Sequence, residues 1–355
     1  MGDPMKLWKQ IAALAVLWAG ALQATGAVAQ TPFERAEQSH ASIFMYHRFD
    51  DPRHGSTSTS LEDFKAHLEH LKNGGFTVLP LTEIVAALKA GRPLPDKTVA
   101  ITIDDAFQSF ADKAWPLLRR ANMPATLFVS TKVLDDGAAD FVSWDTLRRM
   151  AAQGLEIGNH TVSHAHLPTL SASELHAEIT RAQARFKAEL GVEPTLFAYP
   201  YGEFGAREEK MVRDLGFAAA FGQQSGVAHA GEALTRLPRF PASGNFGRMT
   251  RFKVAAQALP LPAGDITPTD WVVRKGASNP PHFGFTVLPG VKRLDALVCY
   301  ARTGEKLEPV RLGPNRFEIR PTQKWGKGRS GVNCTVPGTS SDTGVRWRWR
   351  GVQFT

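Results

Sequence analysis

The feature that most narrows the fold of this chain is an alternation along its first two thirds. Short β-branched and apolar runs at 42–47, 76–79, 98–103, 125–130, 155–157, 196–199 and 217–221 take turns with segments of helical periodicity at 61–71, 81–90, 109–121, 144–152, 171–190 and 206–215. Ser60 precedes the first of these helices as an N-cap, and Gly74-Gly75, Gly91 and Gly154 stop three of them. Ser171 followed by Glu174 is a capping box. Repeated β-then-α units argue for a parallel sheet. Their number and the 355-residue length suit an α/β fold, a distorted (β/α) barrel, in which functional residues gather at the C-terminal ends of the strands. A doubly wound open sheet is the alternative.

The pattern changes near residue 260, where Pro260, Pro262, Gly264 and Pro268 mark a boundary. Beyond it, β-type runs at 283–287, 296–301, 317–319 and 345–349 read as a small all-β, sandwich-like domain over 266–355, after a barrel domain over 30–262. Charge follows the same division. The formal net charge is +8, yet residues 266–355 hold 15 basic and 6 acidic residues, a net +9. Such a module suits an anionic glycan or an envelope surface, or is ordinary surface charge. In Arg346-Trp347-Arg348-Trp349-Arg350 a strand sorts tryptophans to one face and arginines to the other. Either that makes a sugar-binding surface or, the preferred reading, the tryptophans fill the sandwich core.

Residues 1–29 read as a cleavable signal peptide, with an uncleaved anchor as the alternative. Lys6 and Lys9 precede a short apolar run at 11–22, and Ala27-Val28-Ala29 is a small-x-small cleavage pattern. The expectation is an exported protein, periplasmic or secreted, with no membrane span after cleavage and no nucleic-acid partner. In an oxidising compartment the two cysteines, Cys299 and Cys334, pair or remain as buried thiols; they do not make a zinc cluster.

Three segments carry chemistry. Asp104-Asp105 ends the apolar run TVAITI, and two adjacent carboxylates there are costly unless a cation binds. One can ligate metal while the other stays free as a base, although such a pair also serves as a plain turn or helix cap. His160 and His164, four apart, read as one face of a helical turn able to grip a single metal, with His166 spaced less well. Two imidazoles and a carboxylate leave room for water, which suits metal-assisted hydrolysis. Phe197-Ala198-Tyr199-Pro200-Tyr201-Gly202 offers a backbone amide for an oxyanion and aromatics for a sugar wall, or is a turn with core aromatics.

Taken together, Thr102-Ile103-Asp104-Asp105, His160-Thr161-Val162-Ser163-His164 and Ala198-Tyr199-Pro200-Tyr201 resemble, in order and separation, the motifs of the polysaccharide deacetylase family with its NodB-type homology domain. The resemblance covers roughly residues 40–255. It implies Asp105, His160 and His164 as ligands of a divalent metal, usually zinc. It implies Asp104 as the general base, the Tyr201 backbone N–H as an oxyanion donor, and Thr161 as a support for the ligands. Phe197–Gly202 together with Met45-Tyr46-His47-Arg48-Phe49 looks like the exopolysaccharide, poly-N-acetylglucosamine branch, which implies His47 as the general acid. In the element 141–145, Trp144 is a candidate site wall or a core residue. Two departures stand out. Ala198 occupies the position of the arginine that orients the base, and 234–239 (Leu-Thr-Arg-Leu-Pro-Arg) holds no acid histidine.

The expected activity is metal-dependent removal of N-acetyl groups from an N-acetylated polysaccharide, releasing acetate. The rivals are an O-acetyl glycan esterase of the same family and a non-catalytic glycan-binding protein. A glycosidase is disfavoured, because adjacent carboxylates do not straddle a scissile bond.

Overall fold

Strands that are apolar along their whole length must be covered on both faces, and a parallel sheet under helices is the arrangement that covers them. Every residue of β1 (His40–Tyr46) and β2 (Thr98–Asp104) is buried. They are followed by β3 (Thr126–Val129), β4 (Glu156–Asn159), β5 (Leu196–Ala198) and β6 (Ala219–Phe221). The six run in parallel, each beside the next in the sheet. The curl is completed by residues 237–241. Leu237 bridges Phe221 in parallel, and β7 (Phe240–Pro241) pairs in parallel with β1. The result is a distorted barrel whose last staves are very short. This computed structural model describes residues 29–274, 278–326, 328–341 and 344–355. The expected signal peptide thus lies almost wholly outside the described residues. No helix among them is long and apolar enough to cross a membrane.

The six helices expected from periodicity are present, and Pro32–Gln38, Thr131–Asp135 and Met249–Ala256 are helices that it did not point to. Ser60 caps Leu61–Asn73 by accepting from the Asp63 N–H, and Ser171 with Glu174 forms the expected box on Ala172–Leu190. The segment 109–121 is one exception to the simple reading. It opens as a π-helical turn, Phe110–Ala114, and becomes an α-helix only at Trp115–Ala121. Pro116, in the first turn of the latter, has no N–H to continue the preceding ladder and fits best at a helix start.

Beyond the barrel, two sheets, antiparallel except where Leu259–Pro260 joins one of them in parallel, pack into a sandwich. One is built on a long hairpin, β9 (Ser330–Ser341) and β10 (Gly344–Phe354), which pairs on one side with Val298–Ala301 and on the other with β8 (Leu259–Pro260). The other contains Phe283–Val287 and Arg316–Ile319. Phe283, Phe285, Phe317 and Ile319 meet Cys299, Val332, Val352 and Phe354 in one core. Cys299 and Cys334 are cross-strand partners and form a disulfide. Thr31–Thr355 is one compact unit.

The Arg-Trp alternation does something other than either reading expected of it. Arg346, Arg348 and Arg350 are buried, at 9%, 5% and 7% exposure. Each meets a carboxylate of the barrel half: Asp96 at 2.9 Å, Glu37 at 2.5 and 2.9 Å, and Glu232 at 3.0 and 3.1 Å. On the other face, Trp349 stands edge-on to Phe240 of β7 and donates its indole N–H to Asn333. Trp349 therefore packs on the barrel rather than in the sandwich core, and the arginines are used to dock the two halves. The physical reason is the two-residue strand repeat, which sets three cations in a row on one face.

Of these pairs, Arg350–Glu232 is the one buried on both sides, at 8% and 10% side-chain exposure. Burial alone would raise the Glu232 carboxyl, but the Arg350 charge and a bond from His229 outweigh it and hold the pKa well below the usual range. Its stabilisation is complete above the ordinary carboxylate pKa of about 4.3 and is lost as pH falls below it. Glu232→Ala is expected to cost about 3 kcal/mol, against under about 1 kcal/mol for Asp96→Ala at the exposed end of the row. Glu232→Gln is also expected to flatten the acid limb of the stability profile. Denaturant unfolding as a function of pH measures both effects.

Candidate active site

The strand ends of β1, β2, β4 and β5 open on one rim, and the chain turns sharply after β2, β4 and β5. After β2, Asp105 and Ala106 take left-handed backbone conformations, with φ of 74° and 59°. The reversal separates two consecutive carboxylates. Asp104 points into the protein and Asp105 into a cavity of about 460 Å³. Non-glycine residues rarely adopt positive φ, and such strain collects at functional sites.

After β4, the histidine segment is a loop and not the helical turn expected from the four-residue spacing. Thr161 and His164 both have positive φ, 71° and 58°. The Asn159 carboxamide oxygen accepts from the Thr161 N–H at 2.7 Å, and the Thr161 hydroxyl accepts from the His164 N–H at 3.1 Å. These two bonds fold the loop so that both imidazoles reach Asp105. His160 Nε2 lies 3.4 Å and His164 Nε2 lies 3.2 Å from Asp105 Oδ1. His166 turns elsewhere and pairs with Glu203 at 2.7 Å.

The chemistry of this cluster fits a cation. One ligand atom from each of Asp105, His160 and His164 lies within 4.8 Å of the others. His160 Nδ1 donates to the Ala198 carbonyl at 2.7 Å, which leaves Nε2 as a lone pair aimed at Asp105. Asp105 Oδ1 and His160 Nε2 are both buried without a hydrogen-bond partner. Leaving such atoms unsatisfied costs about 1–3 kcal/mol each, and a bound cation satisfies both. Burial, and next the neighbouring His160, pull the His164 pKa down to about 4, so its imidazole is neutral at neutral pH, as a ligand must be. Burial would also lower His160, but the Asp105 and Asp104 carboxylates outweigh it and raise the pKa. Burial opposes ionisation of Asp105 too, yet the adjacent His160, with His47 and His164, holds its pKa far below the usual range. Two nitrogens and one oxygen with an open side are the donor set of hydrolytic zinc sites.

Behind this cluster lies a residue that sequence reasoning missed. Arg239 donates to both oxygens of Asp104, at 2.7 and 2.8 Å, and both side chains are fully buried. It also donates to the Gly222 carbonyl and the Thr102 hydroxyl. Burial would raise the Asp104 pKa, but the Arg239 charge, with His160 and His47, lowers it. The arginine absent at Ala198 thus has a counterpart from a different strand, in the very segment that lacks the expected histidine. One signal was available: Arg239 is a lone charge between Leu237-Pro238 and Phe240-Pro241, and a lone charge in an apolar run needs a partner.

His47, after β1, lines the cavity with Asp105, His164 and Tyr201. Tyr201 has φ 59°, and its ring stacks on His166 at 4.1 Å and stands edge-on to His164 at 4.3 Å. Exposed Phe246 lines the cavity as well. Trp144 does not. It packs edge-on to Phe186 and donates to Asp135, so its expected role as a site wall is corrected to packing.

Residues 91–220 match the polysaccharide deacetylase family. By this match the chain resembles that family over 130 of its 355 residues. It is similar to the poly-β-1,6-N-acetyl-D-glucosamine N-deacetylase of Escherichia coli K12, at 25% identity over 236 residues, 55% of this chain and 35% of that one. A chitin deacetylase from Pestalotiopsis is 29% identical over 148 residues, 41% of this chain and 49% of that one. The chain thus spans between a third and a half of these two relatives. In fold it resembles IcaB from Ammonifex degensii, with a TM-score of 0.56 over 62% of this chain and 99% of that one at 24% identity. The deacetylase PplD of Streptococcus pyogenes, solved with acetate, gives 0.55 over 59% and 94% at 24% identity. The matched segment of the deacetylase domain holds Asp104, Asp105, His160 and His164, whereas His47 and Arg239 lie outside it.

The buried Arg239–Asp104 pair predicts strong coupling. Arg239→Met is expected to destabilise the protein by about 3–5 kcal/mol, because it strands the Asp104 charge. Arg239→Met combined with Asp104→Leu is expected to cost less than the sum of the two single changes. A double-mutant cycle in urea measures the difference.

Proposed function

We propose that this protein removes N-acetyl groups from an N-acetylhexosamine polysaccharide of the exopolysaccharide type, with a divalent cation, zinc by preference, held by Asp105, His160 and His164. The observation that carries this reading is the pair of buried, partnerless ligand atoms, Asp105 Oδ1 and His160 Nε2, in a cluster whose Asp105 and His164 line a cavity large enough for a sugar. A cation bound there supplies Lewis acidity toward a carbonyl and lowers the pKa of water. The remaining roles belong to the chain. Arg239 keeps Asp104 ionised but leaves part of its lone-pair capacity open, so Asp104 accepts a proton from the attacking water. The water oxygen bonds to the acetyl carbon while the Tyr201 N–H donates to the developing oxyanion. His47 gives a proton to the amine as the C–N bond breaks, and acetate and a free amino sugar leave.

The substrate class rests on likeness to the Escherichia coli poly-N-acetylglucosamine N-deacetylase, of which this chain spans 35%. The Cys299–Cys334 disulfide supports export through the 1–29 signal, to the periplasm or beyond. In this reading 30–262 is the deacetylase domain and 266–355 an accessory domain to it.

Acetate release from N-acetylglucosamine oligomers is expected to require metal and to stop with a chelator. Asp104→Asn is expected to lower kcat by about 10²–10⁴ while metal stays bound, and His160→Ala to lose the metal itself. Metal content by plasma emission and acetate by coupled assay check each; full turnover in Asp104→Asn would remove it as the base. Faster release from O-acetyl xylan than from the N-acetyl oligomers would instead favour an esterase.

A further inference from the structure

The cavity that exposes Asp105 has two walls of different origin. The barrel supplies His47, Asp105, His164 and Tyr201, and the sandwich supplies Arg302, Arg329, Asn333 and Gln353. Contact between the walls is direct. The Tyr201 carbonyl accepts from Arg329 Nη1 and from Gln353 Nε2, both at 3.0 Å, and Gln353 also donates to the Gly202 carbonyl. The sandwich therefore completes the groove over which any substrate must lie.

Its two arginines are in an unusual electrostatic position. The three arginines of β10 are all spent on barrel carboxylates. In contrast, the named acceptors of Arg329 are neutral, the Tyr201 carbonyl and the Gln223 carboxamide at 2.8 Å. Among the described residues, neither Arg302 nor Arg329 has a carboxylate within the 4.0 Å ion-pairing distance. Glu203, whose field reaches Arg329, is already bonded to His166. Arg302 and Arg329 line the same cavity, and burial, then the like charge of Arg302, lowers the Arg329 pKa. Arg302 is exposed, with its backbone N–H fixed on the Gly331 carbonyl. A pair of neighbouring guanidinium groups in a groove wall is relieved by an anion, and guanidinium matches the planar, two-oxygen geometry of a carboxylate. A neutral polymer offers nothing to offset that repulsion.

We propose that Arg302 and Arg329 recognise a carboxylate on a sugar flanking the one that is deacetylated, so that the preferred substrate is an acidic, uronate-bearing N-acetylated polysaccharide. This rests on the deacetylase reading above but is read out separately from it. The basic sandwich then acts on an anionic glycan through the cavity wall, not through the Arg346–Arg350 strand.

Two measurements test the proposal on the full chain. In the first, calorimetry with hexagalacturonate, which carries carboxylates and no acetyl group, is expected to show binding. That affinity should fall at least about tenfold in Arg302→Glu and hold in Lys292→Glu, an exposed charge reversal on the same module away from the cavity. In the second, acetate release is compared between hyaluronan oligomers, in which N-acetylglucosamine alternates with glucuronate, and neutral N-acetylglucosamine oligomers. The ratio of kcat/KM between them is expected to fall at least about tenfold in Arg302→Glu. Absence of uronate binding, equal binding by Arg302→Glu, or an unchanged ratio overturns the proposal. Uronate binding that depends on Arg302, with no acetate released from any substrate, upholds the carboxylate site at Arg302 and Arg329 and removes the deacetylase reading instead.

Discussion

The ion pair between Arg239 and Asp104 holds the centre of this molecule. It joins the end of β2 to the short run that closes the barrel against β1, and it does so with no exposure to water. A charge in that position is tolerated only with a partner at hydrogen-bonding distance. Arg239 also ties Gly222 after β6 to Thr102 on β2. The weakest part of the barrel, where pairing shrinks to a bridge and two residues, is thus fastened by one side chain. The same side chain sets the charge of the carboxylate beside the cation cluster. Stability of the closure and ionisation at the site are one interaction seen from two sides.

A second layer of dependence runs through the sandwich. Its hairpin is gripped on one face by Asp96, Glu37 and Glu232 and on the other through Trp349 on Phe240. That grip brings Arg329 and Gln353 onto the backbone of Tyr201, a residue already in a left-handed conformation. Two donors on one carbonyl make that turn rigid, and the Tyr201 ring is further clasped by His166. The sandwich sheets therefore form part of the groove instead of hanging beside it. A basic surplus that reads as generic in composition divides into docking charges and cavity charges once the contacts are known.

Legibility along the sequence varied with the range of the interaction involved. Ser60, Ser171 and Glu174 act within a few residues of themselves, and their caps are where pattern places them. The buried strands announce themselves because covering both faces demands unbroken apolar runs, as in TVAITI. The histidine loop was half legible. His160 and His164 could be singled out, but their convergence arises from positive φ at Thr161 and His164, which spacing alone does not report. Trp144 could be read as a site wall or as core, and only its contacts with Phe186 and Asp135 decide for packing.

By itself the sequence determined the class of fold and singled out side chains able to bind a cation, since these follow from local periodicity and side-chain chemistry. Tertiary structure alone decided that Arg239 answers for the arginine missing at Ala198, that the Arg346–Arg350 row faces the barrel, and that Arg302 and Arg329 look into the cavity. Each of those depends on partners from dozens to hundreds of residues away. Electrostatic pairing is set by distance in space, and distance along the chain carries no record of it.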